Sequence, residues 1–140
     1  MKKYIVLTLA VVLVISAALT GCAPQKTNLI LATGGTSGTY YPFGGSMAQI
    51  FNSKIQNMNV TAQATGASVE NLKLIGQKEA ELAIVQNDMT DYAYNGTEAF
   101  KDSKIANVRV IANLYPEVIQ IVSSADSGIK TLTDIKGKKF

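Results

Sequence analysis

The chain has 140 residues, a formal charge of +3, no histidine, no tryptophan and a single cysteine. Without histidine it lacks the commonest general base and the commonest zinc ligand, and one cysteine has no disulfide partner within the chain. No basic patch interleaved with aromatics follows the N-terminal segment, which argues against a nucleic-acid surface.

In chain order, Lys2 and Lys3 form a positive n-region and Tyr4 to Thr20 an apolar run without a charge. Leu19-Thr20-Gly21-Cys22 closes it as a lipobox. That order describes a secretory signal rather than a fold element. Cys22 is expected to accept a diacylglycerol on its sulfur and a further acyl chain on its freed amine, so that the mature chain starts there. Two readings compete. One is a transmembrane helix, for which the run is short against the usual ~20 residues. The other is an ordinary secretory signal followed by a free cysteine. Two or more acyl chains anchor firmly, whereas one alone is marginal. The expected organisation is a signal over 1–21, a tether over 22–27 and one domain over 28–140. The signal carries Lys2 and Lys3 away, so part of the net charge leaves with it.

Asn28 to Thr33 is a short apolar run ending in glycine, which predicts a buried strand. Gly34 to Gly38 is a glycine-rich loop, and the pattern then predicts a helix over Tyr41 to Lys54. Pro42 suits its first turn. Met47, Ile50, Phe51 and Lys54 share one face, and Gly44 and Gly45 predict close packing of that turn on a neighbour. Asn59 to Ala64 alternates as a strand. Ser68 reads as the N-cap of a helix through Gly76 with Val69, Leu72 and Ile75 on its apolar side. Glu81 to Val85 reads as a buried strand. Asp88 to Tyr94 reads as a brief helix capped by Asp88 and closed by Asn95-Gly96. Val108 to Tyr115 and Val118 to Ser123 read as two strands joined near Pro116. Ser127-Gly128 reads as a turn, and Thr131 to Ile135 as one helical turn stopped at Gly137. Lys138 to Phe140 opens a further element. The clustered Lys136, Lys138 and Lys139 read as a solvated edge.

This strand–helix rhythm predicts an α/β fold with a mainly parallel sheet flanked by helices. Ligands of such sheets sit beyond the carboxyl ends of the strands, where the strand order reverses. Polar clusters fall at these ends: Gly34 to Thr39, Gly66 to Ser68, Gln86 to Asp88, and Tyr115 to Glu117. The first puts backbone N–H groups and hydroxyls at a helix start, which favours an anion. It lacks the lysine of a phosphate-binding loop and the glycine spacing of a dinucleotide site. A plain tight turn accounts for it equally, and simple capping accounts for Ser68, Asn71 and Gln86 to Asp88. Tyr40, Tyr41, Tyr92, Tyr94 and Tyr115 offer amphipathic walls.

Four segments together resemble the TAXI family, the extracytoplasmic solute receptors of tripartite ATP-independent periplasmic (TRAP) transporters. They are Thr33 to Gly45 (TGGTSGTYYPFGG), Thr65 to Leu72 (TGASVENL), Glu81 to Asp88 (ELAIVQND) and Ala112 to Glu117 (ANLYPE). Leu132 to Lys139 is similar to a segment shared by type II solute-binding proteins at large. The resemblance implies one lobe of a periplasmic-binding-protein-like fold of type II, with the second lobe largely missing, because members run to about twice this length. It also implies a glutamate-like amino acid or small carboxylate as ligand, a TRAP membrane permease as partner, no cofactor and no enzymatic activity. By this resemblance Gly35, Thr36, Ser37, Gly38 and Thr39 hold the ligand's anionic end, and Tyr40 walls it. Ser68 and Asn71 add polar contacts, and Gln86 and Asp88 meet an ammonium group. Tyr115 and Glu117 lie near the hinge side, although Glu117 reads equally as a surface strand residue. The placement expected is extracytoplasmic, lipid-anchored to the cell membrane. Three alternatives stand beside this reading: a type II solute-binding lipoprotein of an ABC importer, an enzyme on the same fold, and a lipoprotein sensor or surface antigen.

Overall fold

The computed structural model describes residues 25–138. The expected signal, Cys22 with its lipobox, and the element expected to continue through Phe140 lie outside the described residues. The described chain divides into two compact units, one ending at Arg109 and one beginning at Val110.

The first unit runs β1 (Thr27–Ala32), α1 (Tyr40–Lys54), β2 (Met58–Gln63), α2 (Ser68–Gln77), β3 (Leu82–Ala83), α3 (Asn87–Asn95) and a short 3-10 turn, Glu98–Phe100. The sheet is parallel throughout, in the order β2-β1-β3. The expected α/β class and the flanked parallel sheet are therefore what the chain forms. β1 starts one residue earlier than its apolar run, at Thr27, whose N–H donates to the Asn57 carbonyl at 2.7 Å.

β1 occupies the centre, and Leu31 and Ala32 are both buried at its carboxyl end. Burial on both faces is what turns a parallel strand into a continuous apolar run. β2 is an edge strand and alternates instead, with Val60 buried between exposed Asn59 and Thr61. Its outer edge is covered by Asn52 of α1. The Asn52 side-chain amide donates to the Val60 carbonyl at 3.0 Å and its oxygen accepts the Val60 N–H at 2.6 Å. An exposed ladder edge invites unwanted pairing, and here one asparagine occupies both backbone groups of Val60.

Two apolar clusters hold the unit. Leu31, Ala48, Val60 and Ile84 form the first, with Met47 and Phe51 of α1 packed against it. Leu72, Ala93, Phe100 and Ile105 form the second, beneath α2 and α3. Each large apolar side chain buried fully in this way stabilises the fold by roughly 1.5–3 kcal/mol. The inward stripe of α1 is Gly44, Met47, Ala48 and Phe51; Ile50, expected on that face, is 57% exposed. Gly44 explains the shift, because a side chain there would overlap the Thr33 methyl and touch Ile84 and Leu31. The helix thus sits close over β1 and rotates Ile50 outward. Gly45, by contrast, faces open space.

Two expected caps and three expected strands differ from the structure. Ala67, not Ser68, precedes α2, and Gln86, not Asp88, precedes α3. The Ser68 hydroxyl is drawn across to another loop, and the Asp88 carboxylate accepts only from the adjacent Met89 N–H, at 2.8 Å. Gly96 closes α3 in the left-handed conformation, as Asn95-Gly96 predicts. β3 is reduced from five residues to Leu82–Ala83, since only these two pair with β1.

Neither Val108 to Tyr115, which runs across the division, nor Val118 to Ser123 of the second unit forms a strand. A strand persists only where its backbone groups find a ladder partner, and these segments find none among the described residues. Val110, Ile111, Val118, Ile119 and Val122 are each at least 71% exposed. The turn at Ser127-Gly128 does form, with Gly128 at positive φ and the Ser127 N–H on the Ser124 carbonyl at 3.1 Å. Leu132–Ile135 forms one 3-10 turn opened by a capping box between Thr131 and Asp134.

Candidate functional site

The strand order places the reversal at β1. The chain leaves β1 toward β2 on one side, then returns past it to add β3 on the other. In open α/β sheets such a reversal is where ligands bind, outside the carboxyl ends of the strands. The expected residues of the first unit collect along that edge.

Thr33 and Gly34 are buried, and the chain then rises into an exposed loop, Gly35 to Thr39. Its turn is closed by the Gly38 N–H donating to the Gly35 carbonyl at 2.9 Å. Thr39 precedes α1 without capping it through its side chain, so the helix start relies on the loop backbone. Gly34 lies between two elements: a β-carbon there would stand 3.3 Å from that of Tyr40 and 3.7 Å from that of Ala67. This close approach brings the start of α1 against the start of α2.

The loop after β2 is fixed by short bonds. The Thr33 hydroxyl and N–H both donate to the Gln63 carbonyl, at 2.6 and 3.0 Å. The Thr65 N–H donates to the Gly34 carbonyl at 3.2 Å. Glu70 reaches back to accept the Gly66 N–H at 2.6 Å. Ala67 stands at φ 68, ψ −150, a region almost reserved for glycine that costs of order 1–3 kcal/mol. The strain is held at the edge where the loops converge.

Ser68 and Asn71 are both on α2 and both buried. The Ser68 hydroxyl oxygen accepts the Gln86 N–H at 3.0 Å. The Asn71 side-chain amide donates to the carbonyls of Thr33 at 2.6 Å and Ile84 at 2.8 Å, and its oxygen accepts the Thr65 hydroxyl at 2.6 Å. Gln86 and Asp88 are exposed at the start of α3. Every buried side-chain nitrogen or oxygen among the described residues has a partner, so the polar machinery beneath the loops is internally satisfied.

The structure thus brings Gly35, Thr36, Ser37, Gly38, Thr39, Tyr40, Ser68, Asn71, Gln86 and Asp88 to one sheet edge. Tyr115 and Glu117 belong to the second unit. There the tyrosine hydroxyl is pushed above its ordinary pKa of 10.0 by partial burial and then by the negative Glu117, which keeps it a neutral donor. Two other tyrosines are placed elsewhere: Tyr92 packs on the Leu72 cluster, and Tyr94 lies under the Lys104 ammonium, 5.8 Å from its ring centre. An open hollow of about 330 Å³ in the second unit is lined by Ile121, Ser123, Lys130 and Leu132 among others. None of the expected ligand residues lines it.

Sequence reasoning missed Thr33, Thr65 and Glu70, which anchor the loops. Glu70 carried a signal, as an acidic residue in the first turn of the helix, three places after Ala67. Thr33 carried none, since its partner Gln63 lies 30 positions away; Thr65 bonds to the nearby Ala67 and Asn71.

Residues 31–140 match the family model described as the NMT1-like family. The match covers the sheet edge and the second unit alike. With a flanked parallel sheet, a glycine-rich first loop and polar loops at the strand ends, and by this match over most of its length, the chain belongs to the NMT1-like family, a family of periplasmic solute-binding type.

Proposed function

We propose that this chain is the receptor of a solute transporter, that it binds a glutamate-like amino acid or another small carboxylate, and that it delivers this ligand to a TRAP-type permease. One observation carries the reading: the exposed Gly35–Thr39 loop opens a 15-residue helix at the edge where β1 and β3 part. Backbone N–H groups and the helix dipole there favour a carboxylate. Thr36, Ser37 and Thr39 add hydroxyls, and Tyr40 forms a wall. Gln86 and Asp88 stand across the same edge for an ammonium group. The chain binds its ligand without transforming it, since neither histidine nor a free thiol is supplied once Cys22 is acylated. The lipobox supports anchoring at Cys22 on the outer side of the cell membrane.

The test is a thermal-shift panel of amino acids and dicarboxylates on the full chain. A ligand at one hundred times its Kd stabilises by about 2.7 kcal/mol, which moves the melting temperature plainly. A panel without any shift refutes the ligand class. Anchoring is checked separately by labelled palmitate, which Cys22→Ala must abolish. The similarity of Leu132 to Lys139 to type II solute-binding proteins at large also favours a receptor for an ABC importer. Uptake that survives loss of the TRAP permease and fails with loss of an ATPase selects that reading.

A further inference from the structure

We infer that Asn71 is a positioning residue, whose side chain sets the opening between the loops after β1 and β3 and does not itself touch the ligand. The inference rests on reading the carboxyl edge as the ligand site.

The ladder between β1 and β3 is short, with Leu31 opposite Leu82 and Ala32 opposite Ala83. Its last rung is the Ile84 N–H on the Ala32 carbonyl at 3.0 Å. Past it the two chains separate, and the carbonyls of Thr33 and Ile84 are left without a backbone partner from each other. Both accept from the Asn71 amide, one on each hydrogen. The asparagine therefore acts as the next rung at the point where the strands split.

Its oxygen extends the same grip to the third loop. The Thr65 hydroxyl donates to it, and the Thr65 oxygen in turn accepts the Ala67 N–H at 3.1 Å. One turn earlier on α2, Ser68 holds the Gln86 N–H. Three strand ends are thus fixed by two side chains spaced three apart on one helix. Asn71 has no exposed surface, and an asparagine amide has only two hydrogens to give. Both are spent on the protein. A carboxylate at this site would offer no donors to two buried carbonyls, and each buried group left unpaired is costly. Only a residue with two donors and an acceptor fits.

Hydrogen–deuterium exchange on the full chain, with L-glutamate as the affinity probe, tests this with Asn71→Ser and Thr65→Val. In Asn71→Ser, segments 33–40 and 84–88 are expected to exchange at least about tenfold faster while 58–63 keeps its rate, as local opening allows. Affinity for L-glutamate falls about tenfold with it. Thr65→Val, which removes only one arm, accelerates 64–67 and leaves 84–88 unchanged. Two results overturn the inference: uniform acceleration through the sheet, which makes Asn71 a general scaffold residue, or lost affinity with unchanged exchange, which makes it a ligand contact. If the unaltered chain does not bind L-glutamate, the choice of that ligand fails, and the exchange pattern alone decides the role of Asn71.

Discussion

Adjacent glycines in α1 are predicted to respond to alanine with opposite signs. Gly45 faces open space, so alanine there gains only the helical preference, roughly 0.5–1 kcal/mol. Gly44 is buried, and an added methyl overlaps the Thr33 methyl while also meeting Ile84 at 3.4 Å and Leu31 at 3.5 Å. Thr33 cannot swing aside freely, because its hydroxyl is committed to the Gln63 carbonyl at 2.6 Å. Overpacking of this kind costs about 1–3 kcal/mol, and loss of the threonine bond adds about 1 kcal/mol. The helical gain offsets part of that, leaving Gly44→Ala destabilised by about 1–3 kcal/mol. For a unit of this size each kcal/mol moves the melting temperature by about 4–8 °C. Thermal unfolding followed by circular dichroism should show Gly45→Ala melting higher and Gly44→Ala lower than the unaltered chain. If both variants rise together, the close approach of α1 to β1 is wrong.

Ala67→Gly should raise the melting temperature, because relief of a glycine-only conformation, of order 1–3 kcal/mol, exceeds the added chain entropy of roughly 0.5–1 kcal/mol. A fall would mean that residue 67 is unstrained. Phe100→Ala removes a fully buried ring shared with Leu72, Ala93 and Ile105 and should cost about 3–5 kcal/mol in urea unfolding; a loss under 1 kcal/mol would mean that the second cluster is not a core. The Asp134 carboxyl is held below its ordinary 3.8 by the Lys130 and Thr131 N–H groups and by the Thr131 hydroxyl. A depressed folded value places this contribution above the unfolded pKa, and it is lost as pH falls through the folded one. The amide resonances of Lys130 and Thr131 should therefore shift only below the ordinary carboxylate range, and movement near neutral pH would contradict the capping box.

The fold was legible where a residue's type constrained its own backbone. The apolar run of β1, the proline in the first turn of α1, Gly96 after α3 and the helical turn after Thr131 each depend on neighbours a few positions away. Distant partners were not legible. Ser68 has the chemistry of a cap, and nothing local shows that its oxygen serves Gln86, 18 positions on. Asn71 reads as a capping residue or a ligand contact until packing buries it between two carbonyls. The apolar residues of 108–123 carry a strand's composition, but a strand also needs a partner, which composition does not supply. The expected residues of the first unit lie along one edge because parallel strands deliver all their carboxyl ends there, whatever the individual roles prove to be.

The brevity of β3 has a mechanical consequence. β1 is joined to β2 by six residue pairs and to β3 by two, and the missing length is made up by side chains at both ends. Asn71 serves one end. At the other, the Glu81 carboxylate accepts the Ile30 N–H at 2.8 Å while the Glu81 N–H donates to the Ile30 carbonyl at 3.3 Å. Pulled from its ends, the first unit should tear along this seam before β1 and β2 separate. The β1–α1–β2 portion would be left as the last piece to unravel, with its apolar cluster opened only on the Ile84 side.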